Sequence, residues 1–470
     1  MEAITMRANN AHPMQKLSLI ERLRLATPMI LFVAFYTALC GFNFGFDVGN
    51  FAGVQAMQHF AKKFGQLDSK TGLYFLSSYL SSVMTATPFI GKLIGALVCG
   101  PICERWGRRT ALAGLACISV VGVTLQTSAT TTVQFTIGRI VNFAMTGFCI
   151  IVVPVYQAEC TPPQLRGLTT SMMQMMIVLG QLVSSLINLG TKSIPSDASW
   201  RIPVGLQLVT PALLLALWPL IPESPRWLLA RNREGDAKES LRALHKGRLS
   251  ESDLRESLQT LRENLADTQK GPWREMFEGK NRIRTFIAVT AMVGQQITGQ
   301  AFVSQYAAVF YQRNGFASQA LLFTMLSNVA GMGGNVIAWS LVDGIGRRSY
   351  IIVGEVAHTR VREKTSLLAC SISIVITFLT SFTMPYLINP GYAGLGGKVG
   401  FVYGSLCFAM TVVAYLCMPE MKGRTLEEID ALFEAGVPLR HFCDTVLPAN
   451  SGRTSDSEEL KSEKAKTITM

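Results

Sequence analysis

Charge is scarce in this sequence. Asp, Glu, Lys and Arg make up 16% of 470 residues, where soluble domains average about 25%, and mean hydropathy is +0.30. That balance excludes a water-solvated globule and points to a chain solvated by lipid. Histidine is scarcer still, with five in the chain. No His-Glu-x-x-His, phosphate loop, dinucleotide glycine motif or paired-carboxylate hydrolase pattern is present, so nothing supports an enzyme, a cofactor or a metal. The ten cysteines are scattered through apolar stretches. Cys99 and Cys103 lie one helical turn apart with no second pair to complete a metal site, which leaves them as buried or lipid-facing thiols. A cleavable leader is missing too. Arg7, Lys16, Arg22 and Arg24 precede the first apolar run, but no small-residue cleavage site follows, so the run reads as an uncleaved first span ending in the polar GFNFGFD.

Long apolar runs are what the chain does have. They lie near 27–46, 78–102, 110–127, 133–156, 169–190 and 202–221, then near 284–310, 320–342, 366–388 and 397–418. A span needs about 20 apolar residues, so the pattern is six spans, a polar stretch and four spans. The net charge of +12 raises nucleic acid as a partner. The basic residues sit in blocks between apolar runs, however, where the positive-inside rule accounts for them without one. Fourteen Lys and Arg fall between Arg226 and Arg284, against Lys192 alone in the opposite loop at 191–199. The polar stretch and both termini are therefore expected on the cytoplasmic side. Within that stretch, SLRALHKGR and ESLQTLRENL read as short amphipathic surface helices. The charged, Ser-rich tail from 437 reads as disordered.

The two groups of spans carry the same punctuation. In the first, Gly107-Arg108-Arg109 is followed by Glu159, Arg166 and the Pro222-Glu223-Ser224 triplet; in the second, Gly346-Arg347-Arg348 is followed by Glu355, Arg362 and Pro419-Glu420-Met421. Glu159 to Pro222 is 63 residues and Glu355 to Pro419 is 64, a near match. Gly107 to Glu159 is 52 residues, but Gly346 to Glu355 is only 9, a shortfall of 43 in the second copy. At about 20 residues per span, the second half lacks two helices and a turn. An even number lost keeps the last two spans in their original orientation, because the cytoplasmic loops flanking the lost pair fuse into one.

The motifs resemble the sugar porter family of the major facilitator superfamily over about 25–436. GPICERWGRR, PVYQAECTPPQLRG, PESPRWLL, QQITGQ and PEMKGRTLEEID carry the resemblance, and QQITGQAFVSQYAAVFYQRNGF is most similar to fungal hexose and α-glucoside permeases. The resemblance implies an all-α membrane protein. Its expected parts are a cytosolic tail (1–24), a six-helix N-terminal bundle (25–221), a cytosolic linker (222–282), an incomplete four-helix C-terminal bundle (283–436) and a tail (437–470). It implies sugar transport, proton-coupled, in the plasma membrane and as a monomer, with sugar, protons and the lipid bilayer as partners. A non-transporting sensor or regulatory isoform, or an inactive splicing product, is the alternative.

Residue roles follow from the same resemblance. Asp47 in GFDVG is the expected proton carrier and Arg139 in TIGRIV its switch; intramembrane charges of this kind need partners. A helix cap in the outer interface is the plainer alternative for Asp47. Gln174, Gln295 and Gln296 are expected sugar contacts, since amides offer both donor and acceptor to hydroxyls. Ala301 stands where hexose porters usually carry Asn. A cytosolic network that latches the halves is expected from Glu104, Arg105, Arg108, Arg109, Glu159, Arg166, Glu223, Arg226, Asp343, Arg347, Arg348, Glu355, Arg362 and Glu420. Gly344 replaces the Arg expected before Ile345-Gly346, which weakens the second copy. Lys92 is a further intramembrane charge with no role assigned.

Overall fold

The computed structural model describes residues 27–67, 72, 74–245, 250–267, 271–279, 281–345, 361–389, 391–417 and a few positions between 432 and 442. Among them are ten helices long and apolar enough to cross a membrane. The first six are α1 (Pro28–Val54), α2 (Ser78–Trp106), α3 (Arg108–Thr127), α4 (Thr132–Cys160), α5 (Pro163–Thr191) and α6 (Ala198–Leu220). Three surface helices follow: α7 (Pro225–Ala230), α8 (Glu234–Leu244) and α9 (Glu251–Asp267). The last four spans are α10 (Asn281–Arg313), α11 (Ala320–Ile345), α12 (Arg362–Ile388) and α13 (Val399–Cys417). A two-residue antiparallel ladder, Gln66–Leu67 against Tyr74–Phe75, closes the α1–α2 connection.

Six plus four is the count the sequence implies, and residues 346–360 between α11 and α12, where the repeat arithmetic puts the missing pair, lie outside the described residues. One boundary differs. The first span does not end in the polar GFNFGFD but continues to Val54, because the polar side chains are buried against neighbouring helices and do not meet water. Asn43, Asp47 and Asn50 are each at most 2% exposed. Asp47 is thus internal to a helix, and the reading of it as a helix cap is excluded.

Small residues let these helices approach closely, the main source of cohesion where lipid is as apolar as leucine. In α1 the glycines recur every fourth residue and face α5. A Cβ on Gly45 would stand 1.8 Å from the Ile177 carbonyl oxygen. At the far end of the first six spans, Phe51, Phe60, Phe64, Phe135 and Trp200 form an edge-to-face aromatic cluster. The last helices are different. Phe401, Phe408 and Tyr415 of α13 are 82%, 73% and 64% exposed, so this helix has few neighbours among the described residues.

Hydrogen bonds joining the first six spans to the last four lie toward the end remote from the surface helices. Gln55 Nε2 donates to the Gln305 carbonyl at 2.5 Å, Ser82 Oγ to Phe382 O at 2.8 Å and Asn328 Nδ2 to Ser185 Oγ at 2.8 Å.

Candidate functional site

The polar centre is built on α1, α3 and α4. Asn43 and Asp47 lie four residues apart on α1, and Arg139 and Asn142 three apart on α4, so each pair shares a helix face. Asn142 Nδ2 donates to Asp47 Oδ1 at 2.8 Å. Ser119 Oγ of α3 donates to Asn142 Oδ1 at 3.1 Å, and Asn43 Nδ2 donates to Ser119 Oγ at 3.2 Å. The chain of bonds fixes the amide: with its oxygen occupied by Ser119, Asn142 presents its NH₂ to the carboxylate. Asp47 Oδ2 is buried and accepts no close hydrogen bond, and the Gln207 side chain lies near enough to act on the carboxyl as a donor.

Arg139 lies beside this centre but does not bond Asp47. Its Nε donates to the Met84 carbonyl at 3.0 Å, and its guanidinium stacks 3.7 Å from the Phe51 ring and 5.1 Å from that of Phe143. It is near enough to act on the Asp47 charge, as is Tyr306 of α10 on its own. Tyr306 donates to Ser381 O at 2.8 Å, so a residue held within the second half lies near a cation of the first.

The glutamines are less gathered than the resemblance implies. Gln295 is exposed and Gln296 half-buried, with Gln296 Nε2 3.5 Å from Gln295 Oε1. They sit where α10 breaks into a π turn, with Gly299 at φ +94° and Tyr403 of α13 against it. Gln174 is exposed on α5, and no hydrogen bond among the described residues joins it to the pair.

The charged motifs of the first half come together at the surface-helix end. The Arg108 guanidinium is bidentate on Glu159, both bonds 2.8 Å, and also donates to Cys103 O at 3.1 Å. Glu223 accepts from the backbone N–H groups of Arg108 at 2.9 Å and Arg109 at 3.1 Å. A carboxylate thereby satisfies donors at the start of α3, where the helix dipole favours negative charge. Gly107 makes room for it: φ is +94°, and a Cβ would lie 2.2 Å from Glu223 Oε2. Burial pushes the Glu223 carboxyl above its ordinary pKa, against the opposing pull of these N–H groups and Arg108. Arg109 stacks 4.7 Å from the Trp218 ring and donates to Pro219 O. Trp227 and Arg231 donate to the Glu104 carbonyl oxygen. Arg105 is exposed over Trp106, and Arg226 is half-buried outside this set of contacts. Every one of these bonds lies within the first half and the linker that follows it. The side chains of Arg166, Asp343 and Arg362, and the whole of Arg347, Arg348, Glu355 and Glu420, lie outside the described residues.

Sequence reasoning missed Asn142, Ser119 and Asn43. The signal was there in the three- and four-residue spacings to Arg139 and Asp47, but an Asn in an apolar run reads first as an inter-helix tie.

Ten membrane-length helices arranged as six and four, with buried charges between them, define a multi-pass membrane protein of the major facilitator fold. The chain belongs to the family described as "Sugar (and other) transporter", whose profile matches residues 33–354 and again 349–433. The two matches meet where the repeat arithmetic puts the missing pair. Among curated relatives, the high-affinity glucose transporter ght2 of Schizosaccharomyces pombe is 25% identical over 500 aligned positions, covering 93% of this chain and 92% of its own. The major facilitator-type transporter ecdD of Aspergillus rugulosus is 26% identical, with 87% and 88% covered. Since 93% of 470 residues is about 437, at least about 60 aligned positions of ght2 have no counterpart here. The proton:xylose symporter XylE shares the fold, with TM-score 0.68, 21% identity, and coverage of 86% of this chain and 99% of its own.

Proposed function

We propose that this chain is a sugar carrier of the proton-symport type, taking a hexose or disaccharide between its two groups of helices. The observation that carries the reading is Asp47. It is a buried carboxylate with one oxygen held by Asn142 and the other without a close hydrogen bond, near the Gln207 amide and beside a cation that bonds elsewhere. An unsatisfied buried oxygen is a place for a proton. Movement of Arg139 between Asp47 and Met84 O would couple its protonation to the helix rearrangement. Family membership supplies the substrate class, and the relatives' names point to glucose and other hexoses. Gln174, Gln295 and Gln296 are the proposed sugar contacts, converging when the halves move. The first-half network around Arg108 and Glu223 is a rigid block against which the second half rocks. The cross-half bonds toward the far end suit a carrier closed on that face and open toward the surface helices. The basic surface-helix side is the cytoplasmic one, and the plasma membrane is the proposed location.

A second reading has its own observation. The exposure of α13 over most of its surface, with four spans against six, favours a non-transporting product that retains a complete first half. One experiment separates the two. The chain is reconstituted into liposomes beside a variant with a relative's missing helix pair restored between Ser349 and Glu355, and sugar-dependent proton influx is measured. Influx in both that is lost in Asp47→Asn supports symport. Influx only in the restored protein supports the second reading, and pH-independent flux in both rejects coupling.

A further inference from the structure

We propose that Lys92 selects charge at the seam between the two halves, and that the carbohydrate this chain takes bears a carboxylate, a sugar acid. The inference rests on the sugar-binding reading above and moves its substrate class from a neutral sugar to an acidic one. Lys92 stands midway along the 29-residue span α2. About 21 Å of helix lies on either side of it, too far for its stem to carry the amine to a headgroup layer. A full charge at that depth is expensive unless compensated.

The compensation on hand is slight. Nζ lies 5.0 Å from the Phe44 ring of α1 and 6.0 Å from that of Phe89. The titratable groups near enough to act on its charge are thiols, Cys149 of α4 and Cys370 of α12. Among the described residues no carboxylate lies within ion-pair distance of it. Two phenyl faces replace only a fraction of an ammonium's lost hydration. Arg139 contrasts: it has the Met84 carbonyl, a ring at 3.7 Å and Asp47 nearby.

Position supports the same conclusion. Gly147 of α4 packs so tightly on the Lys92 carbonyl that a Cβ there would come within 2.1 Å, which pins this turn of α2. Around it, Phe44, Phe89, Phe143 and Ile374 form one apolar cluster with Phe378, the last two from α12 of the second half. The ammonium therefore stands at the contact between halves with apolar walls and no anion of its own. A ligand carboxylate supplies that anion, while the sugar hydroxyls fall to amide side chains.

The test is equilibrium binding of radiolabelled D-galacturonate and D-glucose to the full chain in nanodiscs at pH 7. Wild type is compared with Lys92→Gln and Lys92→Arg. The expected result is tighter binding of galacturonate than glucose, weakened about tenfold or more by Lys92→Gln, as for loss of a desolvated charge partner. Glucose binding should change little, and Lys92→Arg should retain the preference. Glucose binding without galacturonate binding, or galacturonate affinity unchanged in Lys92→Gln, overturns the inference and leaves the sugar reading standing. Where Lys92→Gln loses both ligands, the arginine variant decides: a retained preference supports the inference and a lost one overturns it. If neither sugar binds wild type, the sugar-binding reading fails and takes this one with it.

Discussion

Asn142 holds Asp47. Its amide donates to one carboxylate oxygen at 2.8 Å, while the neighbouring Arg139 spends its Nε on the Met84 carbonyl. The acid is thus positioned by a neutral donor and tuned by a cation that does not touch it. A hydrogen bond to a charged group contributes about 1.5–3 kcal/mol, enough to shift a proton equilibrium by one to two orders of magnitude.

Asn142→Leu should therefore leave the fold of α4 intact but release Asp47. We expect the pH midpoint of sugar-dependent proton influx to move upward, because the lost bond favoured the charged form. Asn142→Gln, with the same amide, should recover part of the shift. An unchanged midpoint in Asn142→Leu would show that the amide is only packing.

Arg108 and Glu159 give a sharper stability contrast. Their side chains are 14% and 9% exposed and bonded bidentately, whereas Arg274 and Glu278 are 88% and 57% exposed. Removing one member of a buried pair strands the other and costs about 3–5 kcal/mol. An exposed pair is worth about 0–1 kcal/mol. Arg108→Ala should depress the thermal unfolding temperature in detergent strongly, and Arg274→Ala hardly at all. Arg108→Lys should fall between, since an ammonium cannot make the fork.

Gly45→Val tests the α1–α5 seam. With the Ile177 oxygen 1.8 Å from any Cβ, the helices must separate, at a cost of about 1–3 kcal/mol or more. A folded, monodisperse fraction equal to wild type in size-exclusion chromatography would rule out that close approach.

His245 offers a pH test away from the membrane. Burial holds its imidazole below the ordinary 6.5. The unfolded chain therefore takes up a proton before the folded one does. Its contribution to stability is intact above about 6.5 and is lost as pH falls toward the lower folded value. His245→Gln should flatten the decline in unfolding temperature over that acid range, and an unaltered slope would assign the decline to other groups.

Much of this was legible in the chain itself. The six and four spans follow from apolar run length, and the paired motifs from residue spacing, since a helix must satisfy its own backbone in lipid wherever it sits. Asp47 and Arg139 stood out because intramembrane charge is rare. The length of the first span did not, because GFNFGFD looks like a terminus until neighbouring helices bury its polar groups. Nor was the partner of Asp47 legible: an Asn is weakly distinctive, and charge complementarity favoured the arginine.

Local composition by itself determined the number of spans and which residues would be costly in lipid, because hydropathy and length act on each segment alone. The tertiary structure decided which donor holds Asp47, where Arg139 points, how Gly107 admits Glu223 and what surrounds Lys92. Those depend on a few tenths of an ångström between side chains from helices far apart in the chain, a distance that no spacing in the sequence encodes.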